Sequence, residues 1–280
     1  MLLRQGDSGQ AVKALQRDLN KVGSIVLVDG SFGGETRDAI VDARVILDRA
    51  GPSSEADDAL QQALAAVADP LPSLSAAGVT FIARNEVSSP AGYRRSFSRP
   101  IWPKGESGVT IGIGYDLRFS DEAQLRADWK DHLSETLLQR LATVLKRQGT
   151  KALADGLGNV EIPLRAAMAV FVARSLPHTI AQARSIYPQI DVLLPAQQTA
   201  LASLVYNRGA RLSDLDAARQ DRREMREIKA LLAANEVEAV AEQFDSMRRL
   251  WDSQTQAGLV RRRHEEATLW RSGFAALQLA

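Results

Sequence analysis

The sequence predicts a mainly α protein: a small three-helix module, then an α+β domain with one short β-hairpin and a large helical lobe. Three observations predict it. Apolar residues recur at helical spacing through most of the chain, from Val12, Leu15 and Leu19 to the closing run Ala257 to Trp270. Only Gly108-Val-Thr-Ile-Gly-Ile-Gly-Tyr-Asp116 alternates β-branched residues with glycines, the pattern of a sharply bent strand or hairpin. A stretch of small residues and proline from Ala66 to Ala77 separates two parts, with Pro70 and Pro72 stopping helices. The expected domains are therefore residues 1–66, a linker over 67–77, and residues 78–280.

Each element has a local reason. Ser8 or Asp7 can cap a first helix, and a second begins near Glu35 or Thr36 after a glycine-rich turn. Val79 to Val87 reads as a helix carrying Phe81, Ile82 and Glu86, and a loop rich in Pro, Gly and Ser follows to Ser107. After the hairpin, helices are expected over Glu122 to Arg147, Leu164 to Arg174, His178 to Tyr187, Pro195 to Tyr206, Arg222 to Ala234, Val237 to Arg249 and Ala257 to Trp270. Ser120-Asp-Glu and Pro195 are good helix starts.

Composition narrows the chemistry. The 280 residues suffice for two ordinary domains, and 45% hydrophobic with 25% charged residues is a soluble globular balance. The 35 basic residues nearly cancel the 34 acidic ones, so nothing supports a nucleic-acid partner. There is no cysteine and only His132, His178 and His264 are present, scattered along the chain, which excludes thiolate chemistry and Cys-ligated zinc and speaks against a His-based metal site. No metal or cofactor is expected; carboxylates, hydroxyls and backbone must do the work. The amino terminus lacks the apolar stretch of a signal peptide, and no run reaches the ~18 to 20 apolar residues of a membrane span. The expectation is a chain made in the cytoplasm, without stable membrane insertion.

The first part carries Gly6, Gly9, Leu15, Gln16, Asp29, Gly30, Phe32, Gly33 and Thr36 in an order that resembles the peptidoglycan-binding type 1 module. Val45-Ile46 departs from that family's usual Phe-Gln. The resemblance implies a three-helix bundle whose ligand, a peptide stem or glycan of bacterial peptidoglycan, lies near Asp29, Gly30 and Phe32. Independently of it, Asp29-Gly30 suits a turn with one left-handed residue, and Phe32 can anchor that turn on the helices.

In the second part, Glu86 stands near a helix end among Phe81, Ile82 and Val87, a setting able to desolvate a carboxyl as a general acid requires. Glu86 with Thr110-Ile-Gly-Ile-Gly downstream resembles the phage-type lysozymes, in which an acid Glu faces a Thr on a small hairpin across a saccharide cleft. Ala202-Ser-Leu-Val-Tyr-Asn-Arg-Gly209, Trp251-Asp-Ser and the segment Gly258 to Trp270 extend the resemblance over residues 78–273. The commonest such lysozymes have an Asp six residues before the Thr, where this chain has Lys104. A pesticin-like branch places its acid six residues after the Thr, and Asp116 stands there; Glu106 is the competing partner. A straight strand would hold Thr110 and Asp116 ~20 Å apart, so the chain must bend at Gly112 or Gly114.

The resemblance implies a monomeric endolysin cutting the β-1,4 bond between N-acetylmuramic acid and N-acetylglucosamine, reaching the wall or periplasm through a holin or another export route. Glu86 would be the acid, Asp116 the stabilising or water-orienting carboxylate, and Thr110 the holder of the water, with inversion favoured. Tyr93 and Trp102 are candidates to stack on sugars or to form the loop's core, as is Phe97; Asn207 and Arg208 are candidates to touch substrate or to close a helix. The run Arg261 to His264 is a solvated helix face or a patch for anionic surfaces. Alternatives are a lytic transglycosylase, an exported toxin or effector muramidase, and a binding protein without catalysis.

Overall fold

The computed structural model describes residues 1–274, so the last six residues of the second expected domain lie outside the described part. The described residues are mainly α with one short antiparallel hairpin. Its contacts divide it into two compact units, one of residues 1–70 with 83–175, the other of residues 71–82 with the chain from Leu176 onward. Among the described residues, no helix is long and apolar enough to cross a membrane.

The first unit opens with α1 (Gln10–Lys21), α2 (Gly34–Ile46) and α3 (Asp58–Ala65). Leu3, Val12, Leu19, Ile40, Leu60 and Leu64 form its core, each worth roughly 1.5 to 3 kcal/mol of burial. Helix α1 starts from Gly9 without a side-chain cap; Asp7 instead accepts the amide of Arg4, and Ser8 bridges to Ser31. Asp57 caps α3, its Oδ1 accepting the amide of Leu60 at 2.8 Å.

The stretch expected as linker is brief and tied by a Leu71–Leu74 bridge before α4 (Ala76–Val87), the helix of Glu86. The loop expected up to Ser107 contains a helix, α5 (Pro90–Ser96), because Ser89 accepts the amide of Gly92 at 3.0 Å and Pro90 fills the first turn. The hairpin follows as β1 (Thr110–Ile111) and β2 (Tyr115–Asp116), then a 3-10 turn over Leu117–Phe119. The single helix expected over 122–147 is divided into α6 (Glu122–Trp129) and α7 (Glu135–Ala142), since Ser134 caps a new start at the amide of Leu137. Short α8 (Lys151–Asp155) precedes α9 (Leu164–Val170).

Helix α9 runs on through a π turn, Phe171–Ser175, into α10 (Leu176–Ile186), where a break had been expected. Pro177 lacks an N–H and its ring crowds the preceding turn, and the widened ladder accommodates both. The second unit continues with α11 (Pro195–Arg208), α12 (Arg223–Ala233), α13 (Val240–Met247) and α14 (Ala257–Ser272) around a core that includes Leu201, Leu204, Ile228, Phe244 and Trp270.

Candidate active site

Glu86 occupies the last turn of α4 and is half-buried. Two residues earlier, Arg84 donates to the Ile25 carbonyl at 2.8 Å and reaches Glu35 at 3.5 Å. Residues two apart leave a helix on nearly opposite sides, so the helix is gripped by the amino-terminal bundle on the side away from Glu86.

The hairpin resolves the spacing problem posed by Thr110 and Asp116. Gly112 and Gly114 both take positive φ, 58° and 72°, and the chain reverses between them. Thr110 then pairs directly with Asp116. The Leu117 amide donates to the Val109 carbonyl at 2.9 Å, which makes Thr110 and Asp116 a non-hydrogen-bonded pair. In that geometry Cα atoms stand only ~4.5 Å apart and the two side chains share one face. On its other edge Thr110 exchanges backbone hydrogen bonds with Ile101, at 2.8 and 3.0 Å. Thr110 is therefore fixed from both sides and is 7% exposed.

Asp116 is held by backbone. Its Oδ1 accepts the Gly108 amide at 3.0 Å and the Arg118 amide at 2.9 Å, and its Oδ2 takes a longer share of Gly108 at 3.1 Å. It caps the 3-10 turn while serving as the hairpin partner of Thr110. Gly108 permits this, because a Cβ there would lie 2.5 Å from Asp116 Oδ1. Glu106, the competing acid, is on an exposed loop with its side chain 86% accessible, 3.3 Å from the Arg118 guanidinium. It joins neither Thr110 nor the hairpin ladder.

Other candidates separate. Tyr93 is fully buried and donates to the Ile162 carbonyl at 2.9 Å, so it belongs to the core beneath the loop and offers no ring face to a sugar. Burial also pushes its phenol far above the ordinary range. Trp102 is half-buried over Gly149, where an added Cβ would fall 2.4 Å from the indole. In the amino-terminal bundle, Gly30 has the left-handed φ of 78°, its amide donates to Gln16 at 2.8 Å, and Gln16 in turn donates to Asp29 at 2.9 Å. Phe32 is 2% exposed and works as the anchor of this turn, which removes it as a ligand contact; Asp29 is exposed.

In the second unit, Arg208 and Asn207 close α11 before Gly209. Arg208 is committed internally: it donates to the Asp221 carbonyl and lies 5.1 Å over the Trp251 ring. Burial, with Arg222 beside it, draws its pKa down to about 10. Asn207 accepts from Arg263 at 3.4 Å. The arginine run is split: Arg261 and His264 are exposed, with Arg261 paired to Glu265 at 3.4 Å, whereas Arg262 and Arg263 are 3% and 0% exposed and paired with fully buried Glu266.

Two features had little sequence signal. Asp128 is buried beneath the hairpin, and Phe119, three residues past Asp116, is 73% exposed with Arg118 5.7 Å over its ring. No protein-family model matches this chain, and no curated protein matches it.

Proposed function

We propose that this protein is a peptidoglycan hydrolase, a muramidase that cleaves the β-1,4 bond between N-acetylmuramic acid and N-acetylglucosamine. The observation that carries the reading is the pairing of Thr110 with Asp116 across a glycine-bent hairpin, downstream of a helix whose last turn carries Glu86. A hydroxyl beside a backbone-anchored carboxylate can hold and orient water, and a half-buried carboxyl can deliver a proton to a leaving oxygen. In this reading Glu86 is the general acid, Thr110 holds water and Asp116 orients it or stabilises the oxocarbenium-like charge. The similarity to phage-type lysozymes with a pesticin-like acid position supports it.

The amino-terminal bundle would bind wall material through its exposed surface near Asp29, raising the local concentration of enzyme on an insoluble substrate. Action on the wall follows as a lysis function of endolysin type, with access through a membrane-disrupting partner. Digestion of purified peptidoglycan in ¹⁸O-water by wild type and Glu86→Gln tests the proposal. Labelled reducing N-acetylmuramic ends from wild type alone support hydrolysis. Unlabelled anhydro ends would replace it with a lytic transglycosylase, and binding without release would leave a wall-binding protein.

A further inference from the structure

A hairpin with two residues per strand and two left-handed glycines is not rigid by itself. The backbone bonds to Ile101 fix the Thr110 strand, and the place of the other strand depends also on side chains. Gly112 lies so close to α6 and α9 that a Cβ would come 3.1 Å from Trp129 and 3.2 Å from Ala167. Tyr115 supplies the rest: its ring meets Trp129 edge to face at 5.5 Å, and its hydroxyl donates to Asp128 Oδ2 at 2.9 Å.

Asp128 is an unusual acceptor. Its side chain is 2% exposed, and an unpaired carboxylate so buried costs several kcal/mol. Here it is paired: Arg174 Nε stands 2.6 Å from Oδ1, and the Gln124 amide donates to both oxygens at 2.8 Å. A phenol that needed only satisfaction could use a backbone carbonyl, as Tyr93 does. Tyr115 uses an ionic acceptor, which makes a shorter and stronger bond. Adjacent strand residues point to opposite faces, so while Tyr115 grips α6, Asp116 is turned to the face it shares with Thr110.

We propose that Asp128, pinned by Arg174 and Gln124, is a positioning residue that acts through the Tyr115 hydroxyl to hold Thr110 and Asp116 in place. The proposal rests on the muramidase reading. Asp128 touches no reacting atom; it fixes the strand from which Asp116 departs. Displacement of a reacting group by ~1 Å can cost on the order of 10²-fold in rate, so a loosened anchor appears in kcat.

Tyr115→Phe keeps the ring on Trp129 and removes only the hydroxyl. It should lower kcat about 10-fold, within that bound, with KM and wall binding unchanged. In an Asp116→Asn background the same change should have no further effect, whereas a general structural role would cost the same factor in both backgrounds. Amide exchange at Gly108, Leu117 and Arg118, which hold Asp116 and the ladder, should quicken in Tyr115→Phe, and this readout does not need activity. Asp128→Asn should reproduce both effects if it folds. Unchanged exchange and kcat, or equal losses in both backgrounds, overturns the positioning role. Full activity in Glu86→Gln overturns the muramidase reading instead, and the exchange result then stands on its own.

Discussion

The buried glutamates of the second unit and the candidate catalytic acids of the first are held in opposite ways. In the second, Glu266 and Glu224 are both 0% exposed and held by cations. Glu266 meets Arg263 at 2.8 Å and accepts from Ser203 at 2.6 Å, and Glu224 meets Arg249 at 2.7 Å and Arg223 at 2.8 Å. In the first, Glu86 and Asp116 are half-buried, and Asp116 is held by peptide amides. A buried carboxylate neutralised by arginines is structural, because removing the cations strands its charge. One fixed by backbone donors at a partly open face keeps lone pairs of its oxygens for a ligand, since a carboxylate can accept more bonds than these amides supply. Asp128 belongs with the structural kind although it lies in the first unit, which is why it fits a supporting role.

The largest expected effect tests the functional side of that contrast. Glu86→Gln should reduce peptidoglycan digestion, followed by loss of turbidity, by about 10² to 10⁴-fold, the range for a general acid, with an unchanged melting temperature. Substantial remaining activity would move Glu86 to the structural class. Glu224→Gln should do the reverse, costing about 1 to 3 kcal/mol in urea unfolding as the hydrogen bonds to a buried carboxylate are lost while the two arginines stay partly solvated, and activity per folded molecule stays the same. Burial pushes Glu224 upward, but hydrogen bonds from Arg249 and Arg223 outweigh it and leave its pKa below the ordinary glutamate range. The stability it contributes is thus present above the unfolded-state pKa and lost as pH falls through the depressed folded value. Wild type and variant should converge in acid.

The hairpin was legible because its signal is local. Glycines at 112 and 114 within a β-branched run announce a bend, and the count from Thr110 to Asp116 gives the pairing once the bend is granted. Helix α5 was hidden because its start, Ser89-Pro90, sits in a stretch whose Pro, Gly and Ser content reads as loop. The buried charges were illegible for a different reason. Arg262, Arg263 and Glu266 have the spacing of a solvated helix face, and the partner that reveals their burial, Ser203, comes from α11, 63 residues before Glu266. Asp128 likewise reads as one more polar residue four places after Gln124 until Tyr115 and Arg174 are brought to it.

Gly108→Ala should have a smaller effect than Glu86→Gln. The new Cβ would fall 2.5 Å from Asp116 Oδ1 and 2.6 Å from Arg118 Cβ, so the carboxylate must leave its backbone donors. A loss of about 10-fold in kcat is expected, within the ~10²-fold bound for a displaced group. No loss would mean that Asp116 acts only as a cap, leaving Glu106→Gln as the next variant to assay.

The smallest expected effect falls on Asp42 of α2. Burial raises its pKa, Arg165 and Arg94 oppose the shift, and Asp38 adds to it; the balance stays above the ordinary aspartate value. The folded state therefore favours the protonated form, and the associated stability is present below the unfolded-state pKa and lost as pH rises through the raised folded value. Asp42→Asn imitates that neutral form. It should raise the melting temperature slightly at neutral pH and leave it unchanged near pH ~3, where the wild-type carboxyl is protonated in both states, and solvent screening keeps the gain small. A variant less stable than wild type at neutral pH would mean that Arg165 and Arg94 outweigh burial. Asp42 would then join Asp57, which stands 3.1 Å from the buried Arg44, among the cation-paired carboxylates of the first unit's bundle, and the contrast with the second would narrow to the hairpin and Glu86.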